Sequence, residues 1–140
     1  MVYEMPKVVV AKTSEIPRNE QKLVLARGRP VVIYNLDGEW FALSNKCPHQ
    51  GGALCQGRRV GLVKSTGPGE YEFSRQNEIV RCPWHGWEFD IRTGKSICEP
   101  EAITARRIQI ECQKAADLEE GLTVETFEIT VEDELLVLTM

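Results

Sequence analysis

The residues best suited to chemistry in this chain are its two histidines, and both lie beside cysteines. One pair is Cys47-Pro48-His49; the other is Cys82-Pro83-Trp84-His85. Thiolate is a soft ligand and imidazole a borderline one, so the four side chains form a set suited to a transition metal. The two segments match in form. Each gives one Cys and one His, each has Pro directly after its Cys, and each is followed by glycine, Gly51-Gly52 and Gly86. Glycine suits places where backbone must approach a buried object closely. Chemistry that needs three or more histidines from this chain is excluded, because it has only 2.

The elements around these motifs read as strands. Lys7 to Lys12, Gln21 to Arg27, Val31 to Leu36 and Glu39 to Ser44 have strand character. Gly28-Arg29-Pro30 separates the second and third. Asp37-Gly38 between two β-rich runs is a strong hairpin signal. In the fourth strand Trp40 and Ala42 fall on one face, Phe41 and Leu43 on the other. From Asn45 to Gly69 glycine and proline become frequent, and the segment reads as irregular chain with short strand pieces at most. Glu70 to Phe73 and Glu78 to Arg81 read as a hairpin around Ser74 to Asn77. Trp87 to Ile91 resumes strand character before a Thr93-Gly94 turn. Ile103 to Glu111, Thr123 to Val131 and Leu135 to Thr139 complete the strands, and Gln113 to Gly121 is a polar stretch of loop or one helical turn. No 3.6-residue periodicity persists, so the chain predicts an all-β sandwich or small barrel in one domain.

Composition narrows the function. The 140 residues suit a single domain, and 42% hydrophobic content is enough for a core without staples. A net charge of -4 disfavours non-specific nucleic-acid binding, which needs a basic surface. No segment approaches the ~20 apolar residues of a membrane span. Val8-Val9-Val10 is too short for a signal-peptide core, so the expectation is a cytoplasmic protein with reduced thiols. Zinc is the rival metal for two Cys and two His, but the paired-cysteine knuckles of structural zinc sites are absent. No Gly-x-Gly-x-x-Gly follows a strand, so no dinucleotide site is indicated.

With its C-x-H and C-x-x-H loops, the hairpin leading into the first, the run Cys82 to Asp90, Thr93-Gly94, a third loop at Cys98-Glu99-Pro100 and the closing strands, the chain resembles the Rieske 2Fe–2S family. The resemblance implies a small antiparallel β-sandwich with a cluster-binding subdomain at one tip, residues 45–101 of a single 1–140 domain. It implies that Cys47 and Cys82 ligate one iron and His49 and His85 the other, so these four are both the metal and the cofactor residues. Replacing two thiolates by imidazoles raises the potential relative to all-Cys clusters.

The chain also departs from the family pattern. Residues 50 to 81 exceed the usual spacing between the two loops, which points to an insertion near 63–77, a hairpin by the cluster or merely a tolerated surface insertion. The family members of respiratory cytochrome bc complexes carry a disulfide between the loops, at positions that are Gly52 and Trp84 here. They also place cluster-bonding hydroxyls where this chain has Trp87 and Phe89. A reduced cluster lacking those donors is less stabilised, so the expected potential lies at the low end of the Rieske range of about −150 to +300 mV. Cys55 and Cys98 fall in loops near the cluster, where a bridge is conceivable, and with Cys112 they read as ordinary thiols.

Ring-hydroxylating oxygenases add a mononuclear iron held by two His and a carboxylate. Both histidines here are spent on the cluster, so the resemblance implies a non-enzymatic one-electron carrier. It would be a stand-alone Rieske ferredoxin passing electrons from a flavin reductase to a terminal oxygenase. Two alternatives stand beside it: the small subunit of an NAD(P)H nitrite reductase, and a redox or iron sensor.

Overall fold

A computed structural model of the chain describes residues 7–46, 53–54, 58–83, 87–97, 103–117, 123–124 and 133–140, with backbone only at 58, 60–67, 70–77, 117 and 123–124. These residues form strands β1 (Lys7–Lys12), β2 (Gln21–Ala26), β3 (Arg29–Leu36), β4 (Glu39–Ser44), β5 (Arg58–Gly67) and β6 (Glu70–Arg81). They continue with β7 (Glu88–Asp90), β8 (Arg107–Lys114), β9 (Thr123–Val124) and β10 (Glu134–Thr139). Among the described residues helical structure is limited to single 3-10 turns such as Thr13–Glu15 and Ala115–Asp117. The fold is therefore all-β: β1–β10, β8–β10, β2–β3, β5–β6 and β6–β7 pair antiparallel, and β1–β9 parallel.

The chain divides into two compact units, one of residues Met1–Ala42 with Ile108–Met140, the other Leu43–Arg107. The first holds a seven-stranded sheet in the order β2-β3-β4-β8-β10-β1-β9. Its core takes Val8, Val10 and Ala11 from β1, Val24 and Ala26 from β2, Val31 and Ile33 from β3, and Leu136 and Leu138 from β10. Both ends of the sheet therefore contribute to one apolar interior, which removes most of the apolar area from water. The runs Val8-Val9-Val10 and Leu135 to Leu138 are apolar without alternation because these strands are buried on both faces. Val9, Leu135 and Val137 form a second cluster. The β1–β10 register skips a residue between Val9 and Ala11. That bulge lets the sequence neighbours Val10 and Ala11 both join the first cluster.

Two tight turns shape β2, β3 and β4. Arg27 and Gly28, at φ 52 and 78, join β2 to β3, and Asp37 and Gly38, at φ 52 and 93, join β3 to β4. Positive φ at both central residues marks the hairpin turn whose twist matches its strands. The separator expected at Gly28-Arg29-Pro30 is corrected accordingly: the turn is Arg27-Gly28, and Arg29 and Pro30 already belong to β3. Pro30 stands opposite Leu25. A two-residue turn closes on the hydrogen-bonded pair Ala26–Arg29, so the next pair exchanges no bonds between β2 and β3, and the missing N–H of Pro30 costs none there.

The second unit holds a three-stranded sheet, β5-β6-β7. Here the sequence expectation fails twice. Arg58–Gly67 is one long strand, not irregular chain. Ser74 to Asn77 is not a turn but the interior of β6. The register shows why: Val60 pairs with Ile79 and Leu62 with Ser74, so residues 75–78 are extra chain against a single Gly61. The polar tetrapeptide bulges without reversing the chain. The true reversal is Pro68-Gly69 between the paired Gly67 and Glu70, with Gly69 at φ 77. Proline followed by a positive-φ glycine is a type II turn. The stretch expected to hold an insertion, 63–77, is therefore part of a β5–β6 hairpin. Two smaller shifts follow. The strand expected from Ile103 starts at Arg107 and runs to Lys114, and β9 covers Thr123–Val124, with 125–132 outside the described residues.

Candidate metal centre

Three stems carry the sequence motifs, and all lie in the second unit. The first is the antiparallel bridge of Lys46 with Ala53, reinforced by the Leu54 N–H donating to the Asn45 carbonyl at 2.8 Å. Cys47 and His49 fall in the sequence between its two sides, outside the described residues. The second stem is the end of the β6–β7 ladder. Arg81 pairs with Glu88, and the Cys82 N–H donates to the Trp87 carbonyl at 2.7 Å. Across the same pair Arg81 Nη2 stands 3.6 Å from Glu88 Oε2. His85 falls in the sequence between Cys82 and Trp87, again outside the described residues. The third stem is the bridge of Lys95 with Thr104, with the Ser96 N–H donating to the Ile103 carbonyl at 3.0 Å. Cys98 lies between its sides and Cys55 just after the first stem. Both are outside the described residues, as is any bridge between them.

Main-chain hydrogen bonds tie the stems to one another. The Ile97 N–H donates to the Glu88 carbonyl at 2.9 Å, joining the third stem to the second. The Ser44 N–H donates to the Arg106 carbonyl at 2.8 Å, joining the first to the third. The Ala105 N–H reaches the Gly94 carbonyl at 2.6 Å, and the Asp90 N–H reaches the Lys95 carbonyl at 2.8 Å. Gly94 is central to this ladder. Its φ is +78, and a Cβ there would stand 2.5 Å from the Ala105 carbonyl oxygen. Both the conformation and the close approach require glycine. The Thr93-Gly94 turn is legible in the sequence; the contact with Ala105, eleven residues on, is not.

Cys82 is the motif residue that the described structure includes. It is 1% exposed, at the base of the second stem. Phe89 and Ile91 are buried in the same unit, and Trp87 is half-buried. A buried thiolate is costly unless something neutralises it. A cationic iron–sulfur core does so, and thiolates with imidazoles are the donor set of a Rieske 2Fe–2S centre. The residue types present therefore fit that group. Cys112, by contrast, lies on β8, its Sγ 3.8 Å from Glu134 Oε2, and burial with the nearby carboxylate pushes its thiol pKa up. It is a poor ligand.

An all-β chain whose mutually bonded stems flank the Cys/His motifs in the sequence has the organisation expected of a small iron–sulfur protein. Residues 6–128 match the family described as the Rieske [2Fe-2S] domain, so the chain belongs to that family and holds a Rieske-type 2Fe–2S cluster. It is 28% identical over 102 residues to the ferredoxin component of the naphthalene 1,2-dioxygenase system of Pseudomonas aeruginosa, covering 71% of this chain and 83% of that one. Among solved structures it resembles the ferredoxin of carbazole 1,9a-dioxygenase from Nocardioides aromaticivorans IC177. There the TM-score is 0.59 at 18% identity, over 94% of this chain and 96% of the other. It likewise resembles a chain in a complex of reduced oxygenase and oxidised ferredoxin of carbazole 1,9a-dioxygenase. That TM-score is 0.61 at 16% identity, over 96% of this chain and 94% of the other.

Proposed function

We propose that this chain is a one-electron carrier, a Rieske ferredoxin that takes electrons from a flavin-dependent reductase and delivers them to a terminal oxygenase. Cys47 and Cys82 hold one iron and His49 and His85 the other. The bound cluster supplies a single reversible electron at the protein surface. The residues act as one domain, 1–140, in which 45–101 is the cluster-binding subdomain and includes an insertion near 63–77. The observation that carries the reading is the second stem. It buries Cys82 and fixes its backbone to Trp87, and it is bonded directly to the third stem and through that to the first.

Delivery to an oxygenase is supported by the relatives, which are named as ferredoxin components of dioxygenase systems. That naming also disfavours a nitrite reductase small subunit or a sensor. No further histidine is available for a mononuclear iron, which suits a carrier rather than an enzyme. No helix among the described residues is long and apolar enough to cross a membrane. We place the protein in the cytoplasm, where its cysteines stay reduced.

The potential is expected at the low end of the family range. Phe89, fully buried, and Trp87 occupy the positions where hydroxyl donors would stabilise a reduced cluster. Voltammetry on the purified protein tests this, and a midpoint above about +150 mV overturns it. The carrier role is tested by reducing the protein with dithionite, recording its EPR spectrum and measuring turnover of an oxygenase with and without it. A protein that reduces normally but never supports turnover refutes the carrier reading.

A further inference from the structure

The sheets of this protein end in strands that are protected to very different degrees. An unpaired edge invites another strand, and proteins blunt it by shortening, bulging or charging it. β9 is blunted by length, since it has only two residues. β5 is interrupted by register shifts between Val60 and Leu62 and between Ser65 and Gly67, and its sequence includes Arg58, Arg59 and Lys64. Among the described residues β2 has none of these protections. Its six residues pair with β3 in unbroken register from Gln21 to Ala26. Its one charged residue, Lys22, is engaged by Glu15 at 2.7 Å. The two residues whose side chains alternate away from the core are apolar: Leu23 is 45% exposed and Leu25 62%.

The backbone of β2 is poised in the same sense. The two-residue turn makes Ala26–Arg29 a hydrogen-bonded pair, so Val24–Val31 is another and the residues between direct their N–H and C=O away from β3. Leu23 and Leu25 therefore present both a backbone donor and acceptor at an edge that no described strand pairs with, and an apolar side chain above it.

We propose that the β2 edge is a self-association surface, and that its occupant is β2 of a second copy, running antiparallel about a twofold axis at Val24. That register sets Leu23 against the partner's Leu25 and Leu25 against the partner's Leu23. All four are outward-bonding positions, so both pairs exchange main-chain hydrogen bonds. The sequence Gln21-Lys22-Leu23-Val24-Leu25-Ala26-Arg27 is compatible with its own reverse. Lys22 meets Ala26, Gln21 meets Arg27, Glu20 meets Gly28, and no like charges stand opposite one another. A twofold contact needs a patch complementary to itself, and this strand is one. A single pair of short strands covers far less than the ~1,000 Å² of a stable interface, so the dimer is weak and concentration-dependent.

The test uses the purified, cluster-loaded protein. Sedimentation velocity from about 10 µM to about 1 mM should show a rising weight-average coefficient approaching a dimer. Over the same range amide exchange should slow at Leu23 and Leu25 and stay unchanged at Val24 and Ala26, whose amides face β3. The double variant Leu23→Lys with Leu25→Lys should stay monomeric throughout, with an unaltered visible spectrum and midpoint potential. A native protein that remains monomeric at every concentration overturns the proposal. So does association that persists undiminished in the double variant, or slowed exchange at some other strand. The exchange measurement needs no variant, so the proposal stays testable if the lysines disturb folding.

Discussion

Both compact units bury apolar side chains, Leu138 in one and Phe89 in the other, but they differ in what their main-chain bonds position. In the unit of Met1–Ala42 and Ile108–Met140, strands β1 and β10 bury apolar side chains on both faces. In Leu43–Arg107 the motif stems are joined by main-chain hydrogen bonds running from Ser44 through Arg106, Gly94, Lys95, Asp90, Glu88 and Ile97. Side-chain burial is non-directional and tolerates small shifts. A hydrogen-bonded ladder is directional and does not. A metal site needs ligand atoms held to within fractions of an ångström, so the ladder suits the unit that carries the proposed ligands. Both units have a buried core, and the second adds the ladder that ties the motif stems together.

The largest effect should come from the ligand itself. Cys82→Ser removes a thiolate from the proposed set, and the purified variant should lose the visible absorbance and reduced-state EPR signal of the cluster. Because the first unit has its own core, the far-ultraviolet circular dichroism should keep its strand signature. A Cys82→Ser protein with a native Rieske spectrum would break the ligand assignment.

Next in size is a change in the first unit's core. Leu138 is fully buried between β1 and β8 and belongs to the main cluster. Leu138→Ala should lower the unfolding free energy in urea by about 2–5 kcal/mol. It should leave the midpoint potential unmoved. A shifted potential would show that burial in the first unit also sets the cluster's geometry.

Gly94→Ala probes the ladder directly. The left-handed conformation costs an alanine about 1–2 kcal/mol, and the new Cβ would stand 2.5 Å from the Ala105 carbonyl oxygen, which must move. The loss should reach about 2–4 kcal/mol and, unlike Leu138→Ala, should alter the EPR g-values. Gly38→Ala is the control: it shares the positive φ, but nothing lies within 4 Å of its Cβ position. Its cost should stay near ~1 kcal/mol with no spectral change. Equal effects at the two glycines would show that the Ala105 contact is soft.

These contrasts track what the sequence reveals. β1 and β4 have the bounds read from the sequence, and Trp40 and Ala42 share the core-facing side as their alternation requires. Local signals suffice there: apolar runs bounded by a positive-φ Asp37-Gly38 turn. The motif spacing alone picks out Cys82 as a ligand candidate, and the structure places it, buried, beside the Trp87 carbonyl. β5 and β6 are missed because Gly61 and Gly67 blur the alternation of one strand, and Ser74 to Asn77 has the composition of a turn. What makes residues 75–78 a bulge is the pairing of Ser74 and Ile79 with β5, a non-local fact. The bonds of Ser44 to Arg106 and Ala105 to Gly94 are hidden for the same reason: backbone groups carry no sequence signature.

The smallest effect concerns charge in the first unit. Glu15 Oε1 accepts from Lys22 Nζ at 2.7 Å, and Oε2 accepts from the Lys12 N–H at 2.7 Å. The Lys22 hydrogen bond first, then the Lys12 amide, hold the Glu15 carboxyl below its ordinary value of 4.5. A carboxylate with a depressed folded-state pKa contributes stability that is complete above the unfolded value. It is lost as pH falls through the folded value. The window is therefore below 4.5. Both side chains are more than a third exposed, at 40% and 36%, so solvent screening keeps the contribution to about 1 kcal/mol or less. Glu15→Gln should lower the urea midpoint slightly near pH 7. The gap from the unsubstituted protein should close on acidification below the window, and shrink in about 1 M salt. A gap that persists at low pH would mean that Glu15 acts through packing or neutral hydrogen bonding. The first unit would then depend on directional contacts more than its apolar core suggests.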